Sequence, residues 1–598
     1  MKFFFYLLFC LFPPLVFGGQ GADQSEEVAI DFLYINANAG EAAGGHTALR
    51  LGDAVFHYQF FPDATFLLVR EPWDSFRFLY NDLHNRSIAI ASLPLDLSVA
   101  THIRNHFTEL LVSQQHFFDV FEKLQKENHV IQNLLVGDSD ISVSCLGFFS
   151  TIIDMVDQQK NLRYHIETEL GPEFLQRELA RANKELQLAV HGVNRGERPG
   201  QSFHEILDLR EALRIFVQGQ DLDEQALLPP MEKEEKLSAD EKVSLEKFAN
   251  HLTHSIVELL QSTRPDRGET LLLQTARYLA VQHSLVAGQL LSLDPFSEDV
   301  RVVQLTDAEI EGGQLRTLQN DLLSQSVTRR SLFFQEEQHP EIAYSLMETS
   351  RARAWELSRV TDTQRRVRLL TRVMLPSRPG IVSLKLIQED RCELQATAEV
   401  LVQELEELQK KSEELYGYNL FFRNCATELI RSLNTTFPDK ESGQAVLGGW
   451  LEMDNGLVFI PFVFYEQSIA AFSLKDQQFL PARRLRNLES LYEQDSDILV
   501  WLRESNTLSS SLYEPRSKDT PFLFFTDDAL LLRPIQGVLN VGYAALHGIG
   551  GIITLPFDGG KRFTQAARGV FYSLPELAFG NIRKGSYSTV DSGREPSL

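Results

Sequence analysis

Apolar positions in this chain first follow a strand pattern, then a helical one, and then return to strands shortly before the most informative segment. Ala29 to Asn36 predicts a strand, followed by a Gly/Ala-rich loop over 37–45. Two shorter strands come next, His46 to Leu51 and Ala54 to Phe60, and Gly52-Asp53 between them suits a two-residue hairpin turn. Ile88 to Leu93 predicts one more strand. From about residue 95 to about 375 the apolar residues recur at three and four, which predicts a mainly helical unit; Val99–Lys126, Pro172–Val190, Lys242–Leu260 and Asp307–Leu323 are its clearest stretches. Gly192–Gly200 and the charged Pro229–Asp240 read as breaks. Gly380 to Gln388 alternates again, and Glu393 to Leu415 predicts a helix rich in Glu and Leu.

Tyr418-Asn-Leu-Phe-Phe-Arg-Asn-Cys-Ala-Thr-Glu-Leu-Ile430 begins strand-like and turns helical, with Leu429, Ile430 and Leu433 at helical spacing. That places Cys425 at a helix N-terminus, where unpaired N–H groups and the helix dipole favour a thiolate. A lone Cys in an apolar stretch is ordinarily an inert core residue. A candidate base changes the balance: His46, in Gly44-Gly-His-Thr-Ala-Leu-Arg-Leu-Gly-Asp-Ala-Val-Phe-His-Tyr-Gln59. With Gly52-Asp53 as the turn, Ala48 faces His57 and His46 faces Gln59, so His46 and His57 share a sheet face. One His46 nitrogen is then available for the thiol proton, while the other is oriented by His57 or Gln59. Asn424 is a helix cap by propensity and a second donor for an oxyanion by position.

The composition narrows the class. A chain of 598 residues with 43% hydrophobic content predicts two or three domains with ample core. A formal net charge of −25 argues against a nucleic-acid partner. Lys2 followed by the apolar run Phe3 to Phe17 predicts an export signal over 1–22, hence an exported protein of the periplasm or cell envelope. If Cys10 leaves with that signal, Cys145, Cys392 and Cys425 remain; an odd count suggests a Cys145–Cys392 disulfide and a free Cys425. Three Cys without Cys-x-x-Cys spacing give no metal signature, and no cofactor is expected. Near the other end, Val538 to Phe557 is apolar and Gly-rich, with Asn540 and His547 arguing against a membrane span. It is expected to lie on a bilayer surface or to pack as a hairpin, with Arg583-Lys584 suited to a phosphate headgroup.

Gly45-His46-Thr-Ala-Leu-Arg, the Val55-Phe-His-Tyr strand and Phe422-Arg-Asn-Cys-Ala-Thr together resemble the Lnb N-terminal periplasmic domain family of bacteria. That family is similar to circularly permuted papain-like enzymes and to lecithin:retinol acyltransferase-like proteins. The resemblance covers roughly 29–95 and 380–470 and does not explain the helical insertion. It implies an α+β fold: a circularly permuted papain-like domain in two parts, 23–95 and 376–475, split by a large, mainly helical insertion over 96–375 and followed by a C-terminal region, 476–598, of uncertain fold. It also implies His46 as base, Cys425 as nucleophile forming an acyl-thioester, and His57 as the orienting residue. The activity implied is acyl transfer at a membrane surface, from a phospholipid to a lipoprotein amine. The alternatives are a cysteine hydrolase of the cell envelope (a peptidase, an amidase or a lipid hydrolase) and a non-catalytic binding protein on the same scaffold.

Overall fold

The computed structural model describes residues 27–583, apart from 39–44, 62–63, 138–139, 151–156, 191–202, 232–235, 297–301, 305–312, 337–338, 361–365, 369–375, 387–390, 453–456, 475, 514–518, 527–531 and 578–581. The export signal, Cys10 and Lys584 lie outside the described residues.

The protein is α+β and built around one antiparallel sheet. Its strands are β1 (Glu27–Ile35), β2 (His46–Leu51), β3 (Ala54–Phe60), β4 (Phe66–Pro72), β5 (Ile88–Asp96) and β6 (Asp476–Leu480), in the spatial order β6-β5-β1-β2-β3-β4. Sequence periodicity marked β1, β2, β3 and β5. It missed β4, whose Phe66–Val69 run is apolar without alternation, and β6, whose sequence Asp-Gln-Gln-Phe-Leu is polar because it forms an exposed edge. The β2–β3 register is the one the turn required, with Leu51 opposite Ala54 and Ala48 opposite His57. Gly52 supplies a φ of +66° at the first turn position, as a type II′ hairpin demands.

Side chains alternate across the sheet, so each strand feeds two cores. On one face Phe32, Leu49, Phe56 and Tyr58 pack against three helices: α1 (Leu97–Val136), α3 (Cys425–Asn434) and α4 (Pro461–Ala471). Helix α2 (Arg391–Tyr416) leads into α3 and packs on α1. Leu429, Ile430 and Leu433 of α3 are almost fully buried there, worth about 1.5–3 kcal/mol each. On the other face Leu33, Ile35, Ala48 and Val55 pack against Phe76, Leu79 and Tyr80 and against residues of the insertion.

The insertion is mainly helical and has its own core, in which Leu252, Leu271, Leu279 and Tyr344 are buried. It is not a detached unit. Leu315, Leu318 and Leu357, from its helices Gly313–Gln335 and Pro340–Ser358, close over the second face of the sheet. Its strand Asp140–Leu146, which helical spacing did not reveal, pairs with Pro379–Lys385 of the alternating stretch that follows the insertion. The expected Cys145–Cys392 disulfide does not form: neither residue is disulfide-bonded, and the Cys145 thiol donates to Asp208 Oδ1 at 3.4 Å.

Candidate active site

Cys425 opens α3 because Asn424 stops the preceding segment there. The Asn424 side-chain oxygen accepts from the N–H groups of Ala426 and Thr427, each at 3.0 Å. The Thr427 hydroxyl accepts from the Asn424 N–H at 2.8 Å, which completes a capping box. The other end of the amide donates to Leu420 O and Phe459 O. Every polar atom of the Asn424 side chain is thus engaged in building the helix start, and the expected oxyanion donor is instead a structural cap.

His46 opens β2 on the far side of a glycine that the structure requires. Gly45 has φ +88°, and a Cβ at that position would lie 2.6 Å from the Tyr34 ring and 2.9 Å from the Ile35 carbonyl oxygen. Alternation then sends His46 and His57 to the same face, where His46 Nε2 and His57 Nδ1 lie 3.0 Å apart. Behind them His57 Nε2 lies 3.6 Å from Glu71 Oε2. All three side chains are buried. Tyr80 stacks on His46 at 5.5 Å, and Phe76 meets His57 edge-on at 5.2 Å. Gln59 lies beyond the β2–β3 ladder and pairs with Leu67 of β4; no hydrogen bond joins it to His46 among the described residues. Glu71 stands where an orienting group for His57 is needed.

Hairpin geometry explains how a thiol on the α3 side comes near this line. The residues flanking a two-residue turn form a hydrogen-bonded pair, so Leu51, Leu49 and Thr47 aim their N–H groups toward β3. The ladder stops at Ala48 opposite His57, one residue before Thr47. Helix α3 packs on β2, and the Thr47 and Ala426 N–H groups are among those that favour the Cys425 anion.

The electrostatics correct one expectation. Burial raises the Cys425 thiol above its ordinary value, and its hydrogen bonds and the nearby Arg86 charge only partly offset this. Burial, followed by the His57 and Arg86 charges, pushes His46 well below its ordinary value. Both shifts favour the neutral forms, a thiol at Cys425 and an imidazole at His46, over a thiolate formed by the helix dipole. The dipole is present, but desolvation outweighs it.

Arg86, Glu71, Tyr80 and Thr47 escaped the reading of the sequence. Arg86 is buried, donates to the carbonyls of Asn36 (2.6 Å) and Ile35 (3.2 Å), and rests over Tyr80. Glu71 had a usable signal: it is a lone carboxylate ending the otherwise apolar run Phe66–Val69, two positions past the residue opposite His57. Arg86 lies in a turn, beside Asn85 at φ +51°, and no periodicity marks it.

An apolar lip adjoins the thiol. Leu420, Phe421 and Phe422 are more than half exposed, directly before the cap. Tyr418 lies within electrostatic reach of Cys425, and its ring packs edge-on against Phe60 and Phe66. Among the described residues no cluster of His, Cys, Asp or Glu is placed to hold a metal ion. No protein-family model, no curated protein and no solved structure matches this chain.

Proposed function

We propose that the protein is an exported, membrane-surface cysteine acyltransferase on a permuted papain-like domain, carrying a phospholipid acyl chain as a thioester on Cys425 to a lipoprotein amine. The observation that carries this reading is the arrangement at the open end of β2. Thr47 is among the groups that favour the Cys425 anion, and His46, the residue before it, has Nε2 engaged by His57. That leaves His46 Nδ1 as the atom to receive the thiol proton. With Nε2–H of His46 donating to His57 Nδ1, and Nε2–H of His57 directed at Glu71, the tautomers are consistent along the whole line. The exposed aromatic and aliphatic lip before Asn424 favours an acyl chain over a polar donor.

In the first half-reaction the Cys425 sulfur attacks the ester carbonyl carbon as its proton passes to His46 Nδ1. The C–O bond to the glycerol oxygen then breaks, and His46 returns the proton to that leaving oxygen. In the second half-reaction the lipoprotein amine attacks the thioester, His46 accepts a proton from it, and the thiol is regenerated. The Cys425 N–H, unpaired at the first turn of α3, faces the developing oxyanion. The neutral resting pair suits this sequence, because charge appears only when the carbonyl is in place.

The test is intact-mass measurement after incubation with a phospholipid carrying a labelled acyl chain. A hydroxylamine-sensitive adduct of one acyl chain, absent from Cys425→Ala, is expected. Release of the chain to water with no transfer to a lipoprotein amine would move the assignment to a lipid hydrolase. Absence of any adduct, with cleavage of a peptide amide instead, would make it a peptidase.

A further inference from the structure

Two consecutive helices form a hairpin close to the end of the described chain: α5 (Arg533–Asp558) and α6 (Lys561–Ser573), joined through Gly559 and Gly560, which hold φ values of +63° and +85°. Helix α5 is built the wrong way round for an ordinary surface helix. Its inner face carries the polar anchors. Asn540, fully buried, accepts from the N–H groups of Leu523 (2.9 Å) and Phe524 (2.8 Å) and donates to Phe524 O (2.9 Å). Arg533 donates to Thr526 O at 2.7 Å. Its outer face carries Ile535, Leu539, Leu546, Ile549, Ile553 and Phe557 at helical spacing, all between 47% and 90% exposed. That stripe runs about 33 Å at 1.5 Å per residue, with no charge along it.

We infer that this hairpin is an interfacial anchor that lies in the plane of an anionic lipid bilayer, with the outer stripe of α5 sunk among the acyl chains. Three observations select this occupant. The first is charge. The chain carries −25 overall, yet on the hairpin the exposed Lys561, Arg562 and Arg568 outnumber the half-buried Asp558. A basic patch in an acidic protein complements anionic headgroups. The second is side-chain size. The close-approach glycine faces inward: a Cβ on Gly551 would lie 2.6 Å from the Phe563 backbone nitrogen. The outer stripe is made of large branched and aromatic residues, which suit fluid hydrocarbon better than the close backbone approach of a partner helix. The third concerns depth. Helix α5 is long and apolar enough to cross a membrane, but crossing would strip Asn540 and Arg533 of their partners. It therefore lies on the bilayer and does not span it.

The hairpin is also tied to the candidate active site. After α6 the chain returns as Ile582–Arg583, which pairs in parallel with Ala37–Asn38. Those residues directly follow Ile35 and Asn36, whose carbonyls hold Arg86. Docking here brings the thiol end of the sheet to the lipid surface. In this respect the inference deepens the acyl-transfer reading, although the docking itself does not depend on the thiol.

The test is co-sedimentation of the full chain with vesicles of phosphatidylcholine, with and without phosphatidylglycerol. Binding is expected to be stronger with phosphatidylglycerol and to weaken as salt rises. Leu546→Glu with Ile553→Glu should lower partitioning at least tenfold while circular dichroism stays that of the parent. Lys561→Glu with Arg562→Glu should remove only the preference for phosphatidylglycerol. Failure of the parent to bind either vesicle would overturn the inference. So would a dimer in lipid-free solution that the Leu546 and Ile553 substitutions dissolve, because a second copy would then cover the stripe. Acylation of Cys425 by a dispersed short-chain donor is read separately, so docking and chemistry can fail independently.

Discussion

Two buried polar groupings in this protein differ in how they are closed. In the helical insertion, Arg277 donates from Nε (3.1 Å) and Nη2 (2.6 Å) to one oxygen of Glu348, and neither side chain reaches solvent to a significant extent. In the sheet, the line His46–His57–Glu71 has one short contact of 3.0 Å and one long one of 3.6 Å, and its far end points toward the open end of β2. In the first pair each charge neutralises the other, and removing either leaves a charge in a dry core. The second has a His46 nitrogen left over. That asymmetry separates a grouping that holds the fold from one that can move a proton.

The comparison breaks most sharply at Glu348. Glu348→Ala is expected to lower stability by about 3–5 kcal/mol, read as a shifted thermal or urea midpoint, because it strands the Arg277 charge. A change under about 1 kcal/mol would show that the pair does not act as the charge-neutralising unit its geometry describes. His46→Gln should do the reverse, leaving the midpoint nearly unchanged and lowering acyl transfer by about 10²–10⁴-fold, the usual worth of a positioned base. If the midpoint collapses with the activity, His46 is a packing residue.

Glu71→Gln sharpens the contrast at smaller scale. The amide keeps the volume but no longer fixes the His57 tautomer, and a loss of about tenfold in rate, or about 1.4 kcal/mol, is expected with a shifted pH profile. An unchanged pH profile would reduce Glu71 to a structural neighbour. The smallest effect concerns the thiol itself. A thiol raised above its ordinary value holds less thiolate at neutral pH, so alkylation of Cys425 should lag behind that of the exposed Cys392 at pH 7 and climb steeply only as pH approaches and passes 9. Fast alkylation of Cys425 at pH 6 would restore the thiolate–imidazolium pair and overturn the neutral resting state.

Much of the site was legible in the sequence because its causes are local. Alternation and a two-residue turn fixed the shared face of His46 and His57, and an Asn-Cys before helical spacing fixed the start of α3. The role of Asn424 was also legible as a cap, and its amide group is committed to the carbonyls of Leu420 and Phe459. Gln59 was placed beside His46 by extending the hairpin register past Ala48, whereas the β2–β3 ladder ends there and Gln59 pairs with Leu67 of β4 instead.

What the sequence determined by itself, then, was everything set by spacing along one element: the strands β1, β2, β3 and β5, the helical character of the insertion, the thiol at a helix start and the apolar character of α5. Only the tertiary structure decided which groups share a dry environment. Glu71 joins His57 through a third strand, Arg86 reaches the site from a turn, and the insertion closes over the histidine face. Burial then overrides the helix dipole at Cys425, since desolvation depends on every element packed around a group and spacing along one element does not encode it. The same reason separates α5 from a core helix: it is apolar over most of its surface, and only packing shows which side the protein leaves for something else to cover.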